Sequence, residues 1–161
     1  ALPYDYNSCS LIYSFHFFEH LDYKDGLFHL KECYRVLQKN YGIIRVCVPD
    51  MDKHILNYKD YLKSKDPTLW REYVNAVGVD EFNNFFKGDV KRILMGNINI
   101  SEIEGEHKSL YTEGLLACRL LLAGFDTIYH SSNQSSISPE LRGNYFDGKK
   151  EFTLFMEAIK E

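Results

Sequence analysis

Short apolar runs alternate along this chain with longer stretches in which apolar residues recur every three or four positions. Residues 9–15 (CSLIYSF) form the first run. Its length and its Ile, Tyr and Phe content predict a buried strand. Asp22 then stands as an N-cap, and Leu27, Leu30, Tyr34 and Leu37 follow at helical spacing, with Phe28 widening the stripe. The pattern predicts a helix over 24–37, stopped by Asn40 and Gly42, two residues that tolerate left-handed backbone. Residues 43–48 (IIRVCV) predict a second strand, ended by Pro49.

Residues 1–50 thus read as a βαβ unit, which normally closes right-handed with parallel strands. Strands that are apolar on both faces suit the interior of a parallel sheet covered by helices.

Residues 51–105 change character, with more Asn, Lys and Asp and a helical pattern. Asp66-Pro67-Thr68 is a helix start, and Leu69, Tyr73 and Val77 line one face before Gly78, Gly88 and Gly96 break the region into pieces. This stretch is expected to be an inserted helical subdomain. Residues 106–161 return to α/β. Thr112 caps a helix carrying Leu115, Leu116, Arg119, Leu120 and Ala123, and Gly124 stops it. Strands are predicted at 125–130 and 152–160, joined by a long Ser-, Asn- and Gly-containing loop at 131–150.

The composition adds limits. The 161 residues suit one domain, and 45% hydrophobic with 26% charged residues excludes a largely disordered chain. A net charge of −4 supplies no basic field, which argues against a nucleic-acid partner. No apolar run approaches the roughly 18 residues of a membrane span, so no membrane association is expected. Cys9, Cys33, Cys47 and Cys118 form no C-x-x-C pair and fall in apolar segments. They are expected to be buried reduced thiols of a cytoplasmic protein.

Several motifs, in order, carry a family resemblance. Residues 2–4 (LPY) and 11–21 (LIYSFHFFEHL) resemble the methyltransferase pattern LPF-x-D-x-S-F-D-x-I-x-x-x-H-x-L-E-H-L. Residues 31–42 (KECYRVLQKNYG) resemble E-x-x-R-V-L-K-P-G-G, and 44–50 (IRVCVPD) the strand and turn that follow it. Residues 105–112 (GEHKSLYT), 121–125 (LLAGF) and 154–160 (LFMEAIK) resemble the closing elements. The chain is similar to class I S-adenosylmethionine-dependent methyltransferases, of the short type found with sugar and surface-polysaccharide genes. It departs at Ser10, where the family commonly has Asp, and at Asn40-Tyr41, where Pro-Gly is usual.

The resemblance implies a Rossmann-like α/β fold with strand order three-two-one-four-five-seven-six and an antiparallel strand seven. The four predicted strands map to four, five, six and seven, giving a mixed sheet of about four strands with an antiparallel last strand and an inserted helical subdomain. Strands one to three and the Gly-rich cofactor loop have no counterpart, since no G-x-G occurs. The chain is therefore expected to be a single partial domain that binds S-adenosylmethionine weakly or not at all.

By the same resemblance, Ala1 and Leu2 would lie near the adenine, and Ser14, Phe15 and His16 near the methionine part and sulfonium. The implied chemistry is in-line attack on the sulfonium methyl by a small-molecule acceptor, helped by positioning and water exclusion. His16 is the first candidate for a general base, His107 the second and Asp50 the third. Glu19 and His20 are expected to orient the turn into the helix. No metal site is expected, because His16, His20 and His29 have no ligand-pair spacing. The acceptor is expected to be chosen by 51–105 and 131–150, whereas Tyr58, Tyr61, Trp70 and Tyr73 are expected in helix packing.

A different class of function is open on the same residues. A sheet ending at strand four has an exposed edge, which proteins usually cover. A catalytically silent binding or assembly module would pair that edge, for instance with a second copy in a homo-oligomer.

Overall fold

The computed structural model describes residues 1–66, 68, 107–143, 145–148 and 151–161. The protein is α/β. Strand β1 is Leu11–Phe15, helix α1 Tyr23–Val36, strand β2 Gly42–Pro49 and helix α2 Met51–Ser64. Helix α3 is Glu113–Ala123, strand β3 Thr127–Ser131 and strand β4 Thr153–Lys160. Each of the four predicted strands is present, with its ends moved by at most two residues. β1 begins at Leu11 because Cys9 makes only an isolated bridge, to Leu37.

Local chemistry accounts for the boundaries. Asp22 caps α1, its carboxylate accepting from the amides of Lys24 and Asp25. Thr112 caps α3 through the Leu115 amide, and Gly124, at φ 115°, ends it in left-handed backbone. Asn40 is left-handed as expected, with φ 76°. Gly42 is not, and opens β2 instead of stopping the helix. Its reason is space: a Cβ there would stand 2.5 Å from the Gln38 carbonyl oxygen.

The sheet order is β1-β2-β4-β3. β1 and β2 are parallel, and β4 runs antiparallel to both β2 and β3. Among the described residues, β1 forms one edge of the sheet. Because side chains alternate across a sheet, the register separates two faces. Ile12, Ile44, Ala158 and Ile128 make one row on the helix side. With Val46, Val48, Leu154 and Met156 they pack against Leu30, Cys33 and Leu37 from α1 and its end, and Leu116 and Leu120 from α3.

The second face is unlike the first. One row there is Tyr13, Arg45, Glu157 and Tyr129. Arg45 and Glu157 are fully buried. They are covered by the segment between β3 and β4, which contains one short 3₁₀ turn at Pro139–Leu141. Asp147 of that segment accepts from Arg45 Nε at 3.2 Å and Nη2 at 2.6 Å, and Tyr13 donates to Asp147 Oδ1 at 3.3 Å. The connection between β3 and β4 is pinned to this sheet face through Asp147.

Helix packing carries a second buried arginine. Arg119 lies in the apolar stripe of α3, yet it is 1% exposed. It donates to Tyr111 Oη at 2.5 Å and to the Tyr23 carbonyl at 3.3 Å, over the Tyr23 ring. Gly26 admits it, since a Cβ at that position would meet Arg119 Nη1 at 3.0 Å.

Two expectations on burial need correcting. Cys33 and Cys47 are buried, but Cys118 is exposed and Cys9 half-buried. Cys118 lies in α3 beside Leu121 and Leu122, which are also exposed, so the apolar segment there is not buried all round. The adjacent rings Phe17-Phe18 read from the sequence as a core pair, but only Phe18 enters the core, and Phe17 is exposed.

Of the expected 51–105 subdomain, α2 is described, together with Asp66 and Thr68, where Asp66 Oδ1 accepts from the Thr68 amide at 2.8 Å. The predicted face at 69–77, the glycine breaks, Phe85-Phe86, Trp70, Tyr73 and the side chains of Tyr58 and Tyr61 lie outside the described residues. So does Lys149-Lys150, which reads from the sequence as the solvated end of a loop.

Candidate functional site

Parallel strands in a sheet of this kind present their carboxyl ends to a common edge, where ligands bind in open α/β folds. Here that edge gathers the ends of β1 and β2 and the start of the antiparallel β4. The turn after β1 is tightly shaped. His16 has φ 48° and still donates its backbone amide to the Cys47 carbonyl at 2.8 Å. Left-handed backbone is uncommon for a side chain of this size. Phe18 then anchors the turn by full burial, which stabilises by about 1.5–3 kcal/mol for a ring of this type.

The His16 ring is held at both nitrogens. Nδ1 lies 3.4 Å from Glu19 Oε1, and Nε2 is 3.0 Å from Thr153 Oγ1. A carboxylate only accepts, so the Glu19 contact favours the proton on Nδ1. Nε2 then accepts from the Thr153 hydroxyl. Thr153 and Glu19 are both 1% exposed. His16 can take a proton at Nε2 only after the Thr153 hydroxyl has turned away.

A strap from the start of α3 runs along the same edge. Lys108 and Ser109 donate their amides to the Glu19 carbonyl at 2.6 and 3.0 Å, and Ser109 Oγ donates to the Leu21 carbonyl at 2.7 Å. Tyr111 bridges to Asp50 and accepts from the Met51 amide. The strap thereby places His107 edge-to-face on His20, with ring centres 5.0 Å apart. Glu19, His20 and His107 offer ligand atoms that all lie within 4.8 Å of one another.

The remaining predicted residues are placed as follows. Asp50 caps α2, with Oδ1 accepting from the Lys53 amide at 3.2 Å and Oδ2 3.4 Å from Lys53 Nζ. Ser14 Oγ, near the end of β1, is buried and has no hydrogen-bond partner among the described residues. Phe15 packs against the His16 ring at a tilt of 43°, with ring centres 4.5 Å apart. Leu2 is fastened to α1: its amide donates to Glu32 Oε2 at 2.8 Å and its carbonyl accepts from Arg35. The Arg35 guanidinium and the Leu2 amide pull the Glu32 pKa down to about 2. Ala1 precedes this clamp and is exposed. His29 does not join the His16–His20 group. It packs on Phe17 and Phe18, and burial lowers its pKa.

The edge thus brings together His16, Glu19, His20, His107, Asp50 and Thr153. Thr153 had no sequence signal. Arg45 and Glu157 had one, since each is a lone charge inside an apolar strand, and β2 and β4 pair them directly.

No protein-family model matches this sequence, and no curated protein matches it.

Proposed function

We propose that this chain forms the acceptor-side part of a class I methyltransferase domain that uses S-adenosylmethionine. The observation that carries the reading is the sheet order, with antiparallel β4 held between β2 and β3. That arrangement agrees with strands four, five, seven and six of the fold implied by the motifs. The outer edge of β1 is where strand one of that fold pairs.

The carboxyl end of β1 fits the cofactor's polar part in one testable respect. Ser14 Oγ is a buried hydroxyl without a partner among the described residues, and such a group is costly unless a ligand completes it. Ser14, Phe15 and His16 would hold the methionine part there. When bound, S-adenosylmethionine supplies an electrophilic methyl group. The chain's own contribution is to position the acceptor and exclude water. His16 Nε2 receives the acceptor's proton if the Thr153 hydroxyl swings away. His107 stands next in line, and Asp50 serves the helix it caps.

Binding by the chain alone is expected to be weak, because a partial pocket is poorly pre-organised. Amide chemical shifts followed during titration with millimolar S-adenosylhomocysteine test the reading without needing tight affinity. Shifts clustered at residues 14–16, and absent at 40–42 at the opposite end of the strands, are the expected result. No clustered response at 14–16 would overturn it.

The edge position of β1 favours a second reading, a catalytically silent assembly module. Its apolar residues are only half-buried and one row of its backbone groups lacks a strand neighbour among the described residues. Concentration-dependent dimerisation without any response to S-adenosylhomocysteine would favour that reading.

A further inference from the structure

We propose that Glu19, His20 and His107 form a binding site for a divalent transition ion of the zinc class, at the carboxyl end of β1. The donor chemistry is the first reason. Two imidazoles and one carboxylate are the ligand set of zinc sites that keep a fourth position open for water or another oxygen donor.

Geometry is the second reason. Donors on a tetrahedral zinc ion, with bonds of about 2.0–2.1 Å, stand roughly 3.4 Å from one another. The three donors already lie within 4.8 Å, and His20 Nε2 is 4.0 Å from Glu19 Oε1. The remaining gap is about an ångström, within the reach of side-chain rotation.

The third reason is that the site is built from parts locked to each other. The residues come from two segments far apart in sequence. The backbone of one is tied to the other by the Lys108 and Ser109 amides on the Glu19 carbonyl and by Ser109 Oγ on the Leu21 carbonyl. His107 therefore keeps its station over His20. His16 supplies an outer contact: its Nδ1 lies 3.4 Å from Glu19 Oε1 while Thr153 fixes its other nitrogen. Neighbours that contact a ligating group in this way help to orient it in metal sites.

The Glu19 carboxylate is buried beside the two imidazoles. The half-exposed His20 leaves the site open to solvent on one side, giving the ion a route in. The ion would stand beside the groups assigned above to methyl transfer, but its binding does not depend on that assignment.

Metal-stripped protein titrated with Co²⁺ tests the site through visible absorption, with Zn²⁺ then displacing the cobalt. One ion per chain is expected. H20N and H107N should each abolish the absorption, whereas H16N should weaken binding by roughly 10–100-fold, as orienting neighbours do. H130N, which alters an exposed histidine paired with Glu113 outside the site, should leave binding unchanged. Circular dichroism checks that each variant is folded. Because His20 is half-exposed, H20N keeps the test available if H107N fails to fold. Absence of cobalt binding, or binding unchanged in folded H20N, would overturn the proposal.

Discussion

Arg45 clamps Asp147 across 102 positions of sequence, with Nε on Oδ1 at 3.2 Å and Nη2 on Oδ2 at 2.6 Å. Both side chains are wholly buried, and Glu157 adds a second carboxylate 3.2 Å from Arg45 Nη1. Removing one partner of such a pair strands the other charge. R45M leaves two facing carboxylates and is expected to cost about 3–5 kcal/mol, read as a lower urea midpoint.

The same pair predicts an acid limb. Burial pushes Asp147 up, but the Arg45 guanidinium and the Gln134 amide outweigh it and hold its pKa below the ordinary 3.8. A depressed folded value means that this stabilisation is complete above 3.8 and is lost as pH falls through the folded value. Urea midpoints measured across that range should fall on acidification. D147N should lower the midpoint at neutral pH and flatten the limb. An unchanged acid slope in D147N would contradict the assignment.

Lys160 closes the C-terminal end of α1 from the last strand. Its Nζ donates to the carbonyls of Tyr34 at 2.7 Å and Leu37 at 2.9 Å, and to Asn7 Oδ1 at 2.9 Å. K160M removes those donors and is expected to destabilise by about 1–3 kcal/mol. Thermal unfolding with R142M as a surface comparison would check the size.

Gly42 has room for no side chain. In G42A the Cβ meets the Gln38 amide nitrogen at 2.8 Å as well as its carbonyl oxygen, and both are backbone atoms that cannot swing aside. The expected cost is about 1–3 kcal/mol, from displacing the connection between α1 and β2. An unchanged melting temperature would show that the connection yields more easily.

Thiol labelling separates the cysteines by environment. Burial pushes the Cys33 thiol up to about 12 and raises Cys47 also. Cys118 is exposed and should react first with a disulfide reagent, Cys9 more slowly. Cys33 and Cys47 should react only on unfolding. Mass spectrometry of the labelled peptides would identify each site.

The elements were legible in the sequence because their signals are local. Apolar runs at 9–15 and 43–48, the Asp22 and Thr112 caps and the Gly124 stop each act within a few residues, and each works in the structure as read. The order of the strands has no local signal, since pairing joins β2 to β4 across more than a hundred residues.

Sequence alone determined the α/β class, the four strands found among the described residues and the apolar faces of α1 and α3 that meet the sheet. Tertiary structure decided how the other face is filled and what meets at the carboxyl edge. Arg45 with Asp147, His16 with Thr153, and His20 with His107 each join residues with no shared local pattern. Periodicity reports which face a side chain takes along its own element. Which partner it meets there depends on strand register and on how the connecting segments fold back, and these arise only when the whole sheet assembles.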